Sequence, residues 1–517
     1  MSKKFFITTP IYYTNDIPHI GHAYASLIAD FYSRQKRLLG YEVKFSTGVD
    51  ENSQKALQKA EEKGMDISDY LDNMAYKHKN VWENLDISYT DFIRTTQEDH
   101  KNLVQEVLQE SYENGDIYQG EYEGYYCVGC EAFKKESDLT EDGLCPDHLK
   151  KPDFIKEKNY FFKLSKYQDD LLRFYEENPS FVQPNYRFNE LINFVKEGLE
   201  DFSVSRQTNK FGIPLPFDNQ QVTYVWYDAL FNYVTVCKNG DEKFWPADFH
   251  VVGKDIARFH AIYWPAMLLS AGYELPKNVI STGFFTVDGQ KMSKSLGNVV
   301  EPVNTVQNYG RDALLLYLLY DISIGRDGDF GWERFFDVYN NMLLGGWGNL
   351  VSRVSKLSQK NNINKVQFDM SIEKEFLDLA KDLGYDENLF VNMFENGFDK
   401  NKIDEYFDTV NINSFIRDWY DIVQLANKFI EEKKPWELLK QDENQGKQTL
   451  CFLVYIIKNI AIITSPFLTE GFEKTKQSLG TDLLDFDTSE TINDVEERFN
   501  SKSFDVNLSP KFLYQKL

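Results

Sequence analysis

The sequence predicts an α/β fold: a doubly wound parallel sheet, split by an insertion that carries a zinc-ligand pattern and followed by an α-helical bundle. Three observations lead there. Short β-rich runs alternate with helical patterns near the start of the chain, which is the signature of a parallel sheet covered by helices. Two later runs pass from strand directly to glycine, as they do where such a sheet presents a ligand site. Beyond about Tyr339 the β signals fade and long amphipathic stretches take over. With 517 residues, 42% hydrophobic and 15% aromatic, the chain carries too much apolar content to be disordered. Its length suits about two to four domains.

Lys4-Phe5-Phe6-Ile7-Thr8-Thr9 is a short β-rich run that stops at Pro10, and after a polar loop a helical pattern runs from near Gly21 to Gly40. Glu42-Val43-Lys44-Phe45-Ser46 alternates as a second strand ending at Thr47-Gly48, and residues 54–63 are again helical. From about Ile117 to Gln221 the chain turns to Tyr-, Gly- and Cys-rich hairpin material and then helical segments, which reads as an insertion. Val222-Thr223-Tyr224-Val225-Trp226 reads as the return to the sheet, and residues 249–253 and 278–283 are the two strand-to-glycine transitions. Residues 414–434 and 447–464 are long amphipathic stretches of the expected bundle, and residues 488–517 are polar and weakly patterned. The expected divisions are 1–115 and 222–280 for the two halves of the sheet domain, 116–221 for the insertion, 281–339 for a connecting region and 340–517 for the bundle.

Fifty-seven Lys and Arg against 81 Asp and Glu give a formal charge of −24, which repels polyanions at long range and excludes indiscriminate nucleic-acid binding. Any RNA contact must be local. No secretory signal is evident, because Tyr12-Tyr13-Thr14-Asn15-Asp16 interrupts the first apolar stretch. The best apolar run, 451–468, contains Lys458, Asn459 and Pro466 and reads as a buried helix rather than a membrane span. The expectation is a cytoplasmic protein that avoids membranes. Five cysteines are sparse for a disulfide scaffold, and three of them crowd between 127 and 145.

His19-Ile20-Gly21-His22 stands between the first strand and the first helix, so two imidazoles and a glycine meet an anion at a helix N-terminus. Lys291-Met292-Ser293-Lys294-Ser295 follows a strand and Asp288-Gly289, placing two ammonium groups where charge can develop on a leaving pyrophosphate. Alone, that segment reads more readily as a solvated basic loop, and only its pairing with the histidine motif reverses the balance. Cys127-x2-Cys130-x14-Cys145-x2-His148 supplies three thiolates and an imidazole in two close-spaced pairs, which suits one tetrahedral Zn²⁺ with a closed, structural site. Asn349 and Arg353 lie four apart on one helix face, and residues 341–360 contain Arg353, Lys356 and Lys360 but no acid. Trp436 follows Lys433-Lys434-Pro435 and can be either bundle core or a stacking platform for an unpaired base.

The histidine and lysine signatures together resemble those of the class I aminoacyl-tRNA synthetases, where both clamp ATP, and the whole chain is similar to the methionyl-tRNA synthetase family. The matching segments include Thr9-Pro10-Ile11-Tyr12-Tyr13, residues 225–230, residues 253–260, Thr286-Val287-Asp288-Gly289-Gln290 and residues 325–330. The resemblance implies a Rossmann-like catalytic domain, a stem-contact region at 281–339 carrying the lysine loop, and an anticodon-binding bundle at 340–517. It implies activation of L-methionine by ATP to methionyl-adenylate and transfer to tRNA(Met), which supplies methionyl-tRNA for initiation and elongation. Mg²⁺ would accompany ATP, and the first ester would form on the ribose 2′-hydroxyl. His19, His22, Lys291 and Lys294 would be catalytic, and Gly21, Met292, Ser293 and Ser295 would join them on ATP. The methionine slot would be Ile11, Trp226, Tyr233, Phe259, His260 and Trp264, with Tyr13 and Asp255 nearby and Asp50 on the amino group. Asn349, Arg353 and Trp436 match positions that read the CAU anticodon, and Cys127, Cys130, Cys145 and His148 match the ligands of a single zinc knuckle.

Two segments depart from the family pattern. Asn52 and Ser53 stand in a loop that commonly reads Thr-Asp-Glu-His-Gly, and Leu344-Gly345-Gly346-Trp347-Gly348 replaces an Ala-Asn-Asp-Leu-Gly type of lead-in. The insertion of about 105 residues leaves no room for the large editing domain of the valine, isoleucine and leucine enzymes. A cysteinyl enzyme is the nearest rival, and it holds zinc in the active site rather than in a local knuckle. A non-catalytic RNA binder and a small nucleotidyltransferase are the alternatives from other classes. The ending Ser509-Pro510-Lys511-Phe512-Leu513-Tyr514 resembles the family's closing segment with nothing after it, so a monomer is expected.

Overall fold

The computed structural model describes residues 3–127, 132–134, 136–146, 149–207, 211–238, 240–292, 297–385, 387–408, 411–485 and 492–516. Its central sheet has six strands: β1 (Lys4–Tyr13), β2 (Glu42–Asp50), β3 (Asp91–Arg94), β4 (Val182–Gln183), β5 (Phe249–Gly253) and β6 (Asn278–Thr282). Their spatial order is β3-β2-β1-β5-β6-β4, and every pairing is parallel. Ile7 lies opposite Phe249 and Thr8 opposite His250. The chain therefore builds outward from β1 through β2 to β3, lays β4 at the opposite edge, and then fills the other side of β1 with β5 and β6. That reversal opens a crevice at the carboxyl ends of β1 and β5, the place where open α/β sheets bind ligands.

Buried strands read as continuous apolar runs, and β1 buries every residue from Phe5 to Pro10. The Ile20–Leu38 helix covers it, with Ala23, Tyr24, Leu27, Ile28 and Phe31 fully inside. The insertion's main hairpin pairs Ile117–Cys127 with Asp153–Phe162 in register from Ile117 opposite Phe162 to Tyr126 opposite Asp153.

The expected layout needs two corrections. Val182–Gln183, inside the stretch read as insertion, joins the edge of the central sheet beside β6. Val222 and Thr223, read as a return to that sheet, instead pair antiparallel with Ser205–Arg206 in a separate three-stranded sheet, and Val225 and Trp226 open the Val225–Leu230 helix. A five-residue β-branched and aromatic run states that it will be extended or buried, not which neighbour it will find.

The C-terminal half packs the helices Asn349–Lys360, Ile412–Lys433, Glu443–Thr464 and Thr469–Leu479 onto the same core that backs the sheet. Glu443–Thr464 is long and apolar enough to cross a membrane by composition, and 89% of its apolar window is buried inside the protein. Lys458 on this helix is fully buried and donates to the carbonyls of Arg498, Phe499 and Ser501, capping the Ile492–Asn500 helix. The chain end folds back along Asn349–Lys360. Gln359 Nε2 donates to the Leu508 carbonyl, Lys474 Nζ to the Leu513 carbonyl and Tyr514 OH to Asp312 Oδ2. Gly348, in the departing Leu344–Gly348 lead-in, admits this return: a Cβ there would lie 3.1 Å from the Tyr514 ring.

Candidate active site

A cavity of about 680 Å³ opens at the carboxyl ends of the central strands. Pro10, Ile11, Tyr12 and Tyr13 come from the end of β1, Asp50 from the end of β2, Gly253 from the end of β5, and Thr282 and Gly283 from the end of β6. His19, Gly21 and His22 enter from the helix that follows β1, and Trp226, Tyr233, Asp255 and His260 close the far side. Met292 of the lysine loop reaches the same cavity, as does Pro146 of the insertion.

Imidazoles take the place of the usual Ser or Asp at the Ile20–Leu38 helix start. His19 Nδ1 accepts from the Gly21 N–H at 3.1 Å, and His22 Nδ1 accepts from the His19 N–H at 3.2 Å, a reciprocal capping box. The rings stack at 4.0 Å. A nitrogen that accepts from a backbone N–H carries no proton in the neutral ring, so each histidine keeps its proton on Nε2 as a donor. Burial, with His19 and His78 nearby, holds the His22 pKa well below the ordinary value and keeps it neutral. Tyr12 braces this arrangement by donating to the His22 carbonyl at 3.3 Å and sharing a hydrogen bond with Ser26 at 3.0 Å. His78, pushed down to about 4 by burial, meets the Asp16 carbonyl through Nε2.

The deep end is an aromatic slot. Trp226 and Phe259 stack in parallel with centroids 3.9 Å apart. His260 Nδ1 donates to the Ile256 carbonyl at 3.0 Å, so its Nε2 accepts from Tyr233 OH at 2.7 Å. Burial lowers its pKa to about 4. One layer behind, Trp264 Nε1 donates to His250 Nε2 at 3.3 Å, which leaves His250 Nδ1 to donate to Thr8 Oγ1 at 2.7 Å. Phe259 and Trp264 thus support the slot from behind, while Ile11, Trp226, Tyr233 and His260 form its surface. Gly253 leaves room for the Asp255 carboxylate at the rim: a Cβ there would lie 2.4 Å from its oxygen and push it aside. Asp50 is buried on the cavity wall, 3% exposed. In the departing loop, Asn52 Nδ2 donates to Asp228 Oδ2 at 3.2 Å and to the Thr95 carbonyl at 3.1 Å, tying the Asp50 strand end to the Trp226 helix. Ser53 caps the Gln54–Glu62 helix.

Several expected residues fall elsewhere or outside view. Ser293, Lys294 and Ser295 lie outside the described residues, and for Lys291 only the backbone, paired opposite Thr286, is described. Cys127 and Cys145 are buried in the insertion, whereas Cys130 and His148 lie outside the described residues. Among the described residues no group of three or more His, Cys, Asp or Glu is placed to hold a metal. The backbone around Cys145 closes tightly, with Leu149 N donating to the Cys145 carbonyl at 2.7 Å and Cys145 N to the Lys150 carbonyl at 2.9 Å. In the bundle, the Arg353 guanidinium lies 5.7 Å from the half-buried Trp436 ring, and Asn349 is exposed at the head of the same helix. Tyr12, His78 and His250 escaped sequence reasoning. For His250 alone a signal existed, since it is the one ionisable residue within an otherwise apolar strand run.

Comparison with known proteins places this architecture. A family described as class I tRNA synthetases (M) matches residues 5–153 and 138–355, and the anticodon binding domain of methionyl tRNA ligase matches 381–517. The methionine–tRNA ligase of Caldanaerobacter subterraneus subsp. tengcongensis is 43% identical over 491 residues, 93% of this chain and 74% of that protein. That of Clostridium tetani is 44% identical over 501 residues, 94% of this chain and 76% of its own. A Mycobacterium tuberculosis methionyl-tRNA synthetase in complex with methionyl-adenylate superposes with a TM-score of 0.89 at 32% identity, covering 99% of this chain and 100% of that one. The chain, with its crevice between β1 and β5 and its helical C-terminal half, belongs to the methionyl-tRNA synthetase family of class I aminoacyl-tRNA synthetases.

Proposed function

We infer that the protein activates L-methionine with ATP and transfers it to tRNA(Met). The observation that carries this is the single cavity in which two neutral Nε2 donors at a helix N-terminus face an aromatic slot and a buried carboxylate. A thioether suits the polarizable walls of Trp226, Tyr233 and His260, and the substrate ammonium suits Asp50. The methionine carboxylate oxygen attacks the α-phosphorus of ATP, a carboxyl oxygen–phosphorus bond forms to give a mixed anhydride, and the bond from the α-phosphorus to the bridging oxygen of the β-phosphate breaks to release pyrophosphate. His19 and His22 donate to the phosphate oxygens as charge spreads over them, and Lys291 and Lys294 meet the departing pyrophosphate. Mg²⁺ arriving with ATP adds charge neutralisation there. In the second step the 2′-hydroxyl of the terminal adenosine attacks the activated carbonyl and AMP leaves.

The segments 1–115 and 222–280 serve as the catalytic halves, 116–221 as the connective insertion, 281–339 as the stem-contact region and 340–517 as the anticodon-binding part. Asn349, Arg353 and Trp436 read the anticodon. One structural Zn²⁺ sits on Cys127, Cys130, Cys145 and His148; buried thiols at two of these positions and the closed turn at Cys145 support it. One zinc per chain, falling to none in Cys145→Ser, is the expected metal content. The enzyme acts as a cytoplasmic monomer.

The deciding measurement is pyrophosphate exchange into ATP with each of the twenty amino acids and no tRNA. Exchange with methionine alone is expected, whereas exchange with cysteine or leucine would refute the slot. Trp436→Ala should lower aminoacylation with tRNA(Met) while leaving that exchange intact. Equal loss in both would remove Trp436 from the anticodon.

A further inference from the structure

We propose that Lys356 and Phe512 form a second base-stacking station, beside Arg353 and Trp436, that takes an unpaired nucleobase of the bound tRNA. The proposal rests on the reading that the Asn349–Lys360 helix faces the anticodon.

Asn349, Arg353, Lys356 and Lys360 recur at i, i+4, i+7 and i+11, which at roughly 100° per residue puts all four in a stripe about 60° wide. Two aromatic rings stand against that stripe. Arg353 lies 5.7 Å from the centre of the Trp436 ring and also pairs with Glu431 at 2.7 Å. Three residues further along, Lys356 Nζ lies 4.2 Å from the centre of the Phe512 ring. Lys356 is exposed and makes no ion pair among the described residues, so its charge is not compensated there.

Phe512 is 72% exposed, unusual for a phenyl ring in a segment that is otherwise anchored. Leu513 and Tyr514 beside it are buried at 1% and 7%. The Lys511 N–H donates to Ser478 Oγ at 3.1 Å, and Lys474 and Asp312 hold the next two residues. The backbone therefore presents the ring without a large ordering cost on binding. The ammonium lies over one face of the ring, and even so most of the residue remains open to solvent. An aromatic ring with a cation beside it, here Lys356, is how proteins stack single-stranded bases and hold the adjoining phosphates, and Lys360 one turn along the helix and Lys511 next in the chain add positive charge to the same two segments. In a chain of formal charge −24, such a cluster is where a polyanion can approach.

The test is the affinity of the full chain for an anticodon stem–loop RNA of tRNA(Met), measured by filter binding over a range of salt concentrations. Phe512→Ala and Phe512→Leu should each weaken binding by about five- to a hundredfold, and Phe512→Tyr, which keeps the π face, should stay within about twofold. Lys356→Ala should lower the slope of log affinity against log salt by about one. Leucine binding as well as phenylalanine would overturn the proposal, because apolar packing would then suffice. So would a changed sedimentation coefficient with unchanged RNA affinity, which would make Phe512 a protein contact. If Phe512→Ala binds normally while Trp436→Ala does not, the second station is wrong and the anticodon reading stands. If neither variant weakens binding, the anticodon reading itself falls.

Discussion

His22 does two jobs with one ring: Nδ1 caps the helix that follows β1, which leaves Nε2 as the donor of a ring that lines the cavity. Replacing it separates the two roles by size. His22→Ala should lower methionine-dependent pyrophosphate exchange about 10²- to 10³-fold, the loss typical of one preorganised donor, while costing about 1 kcal/mol in urea unfolding for the lost cap. Because burial and the neighbouring imidazoles depress its pKa well below the ordinary value, the donor stays neutral from pH 6 to 8, and His22 imposes no inflection on exchange in that range. An inflection near 6.5 that vanishes in the variant would show an imidazolium instead. At this scale the sequence was legible where the site is contiguous. His19, Gly21 and His22 announce themselves by spacing, but Tyr12 matters only once the chain folds it back onto His22, and His78 and His250 only because the fold carries them to Asp16 and Thr8, far away in sequence. Asn52, a departure from the family loop, acquires a role only when Asp228 is beside it.

The Arg311–Asp321 helix, the Thr469–Leu479 helix and the chain end meet at Asp312, which accepts from the Gly471 N–H at 2.7 Å and from Tyr514 OH at 2.9 Å. Burial and nearby Glu470 push its carboxyl up to about 6. The folded chain thus holds this proton more tightly than the unfolded chain. Its contribution to stability is fully present below about pH 4 and is lost as pH rises toward 6. A shift of this size corresponds to roughly 3 kcal/mol. Asp312→Asn, which cannot ionise, should therefore gain stability relative to the parent as pH rises from 4 to 7, measured by urea unfolding at both ends. Parallel curves would mean that Asp312 titrates normally. Elements of this length were legible from periodicity: the stretches 414–434 and 447–464 emerge as Ile412–Lys433 and Glu443–Thr464. Val182–Gln183 was not, because two residues hold no period.

Across the whole molecule, the alternation of strands and helices around β1 and the helical C-terminal half were legible, yet the short edge strand at 182–183, the helix that Val225 opens and the neighbours in the sheet were not, since pairing depends on which chain segments return to β1. The acidic balance also said less than it implied: Arg353, Lys356 and Lys360 share one helix, and a sum over 517 residues hides such a local basic strip. The pairing of β1 with β5 has a consequence in time. Thr8 and its partner His250 are 242 positions apart. At roughly 5 to 20 residues per second of synthesis, on the order of ten to fifty seconds separate the making of the two strands. Through that interval β1 has an unsatisfied edge, open to any extended segment nearby. The growing polypeptide consumes no ATP either, because half of the cavity wall has yet to be translated.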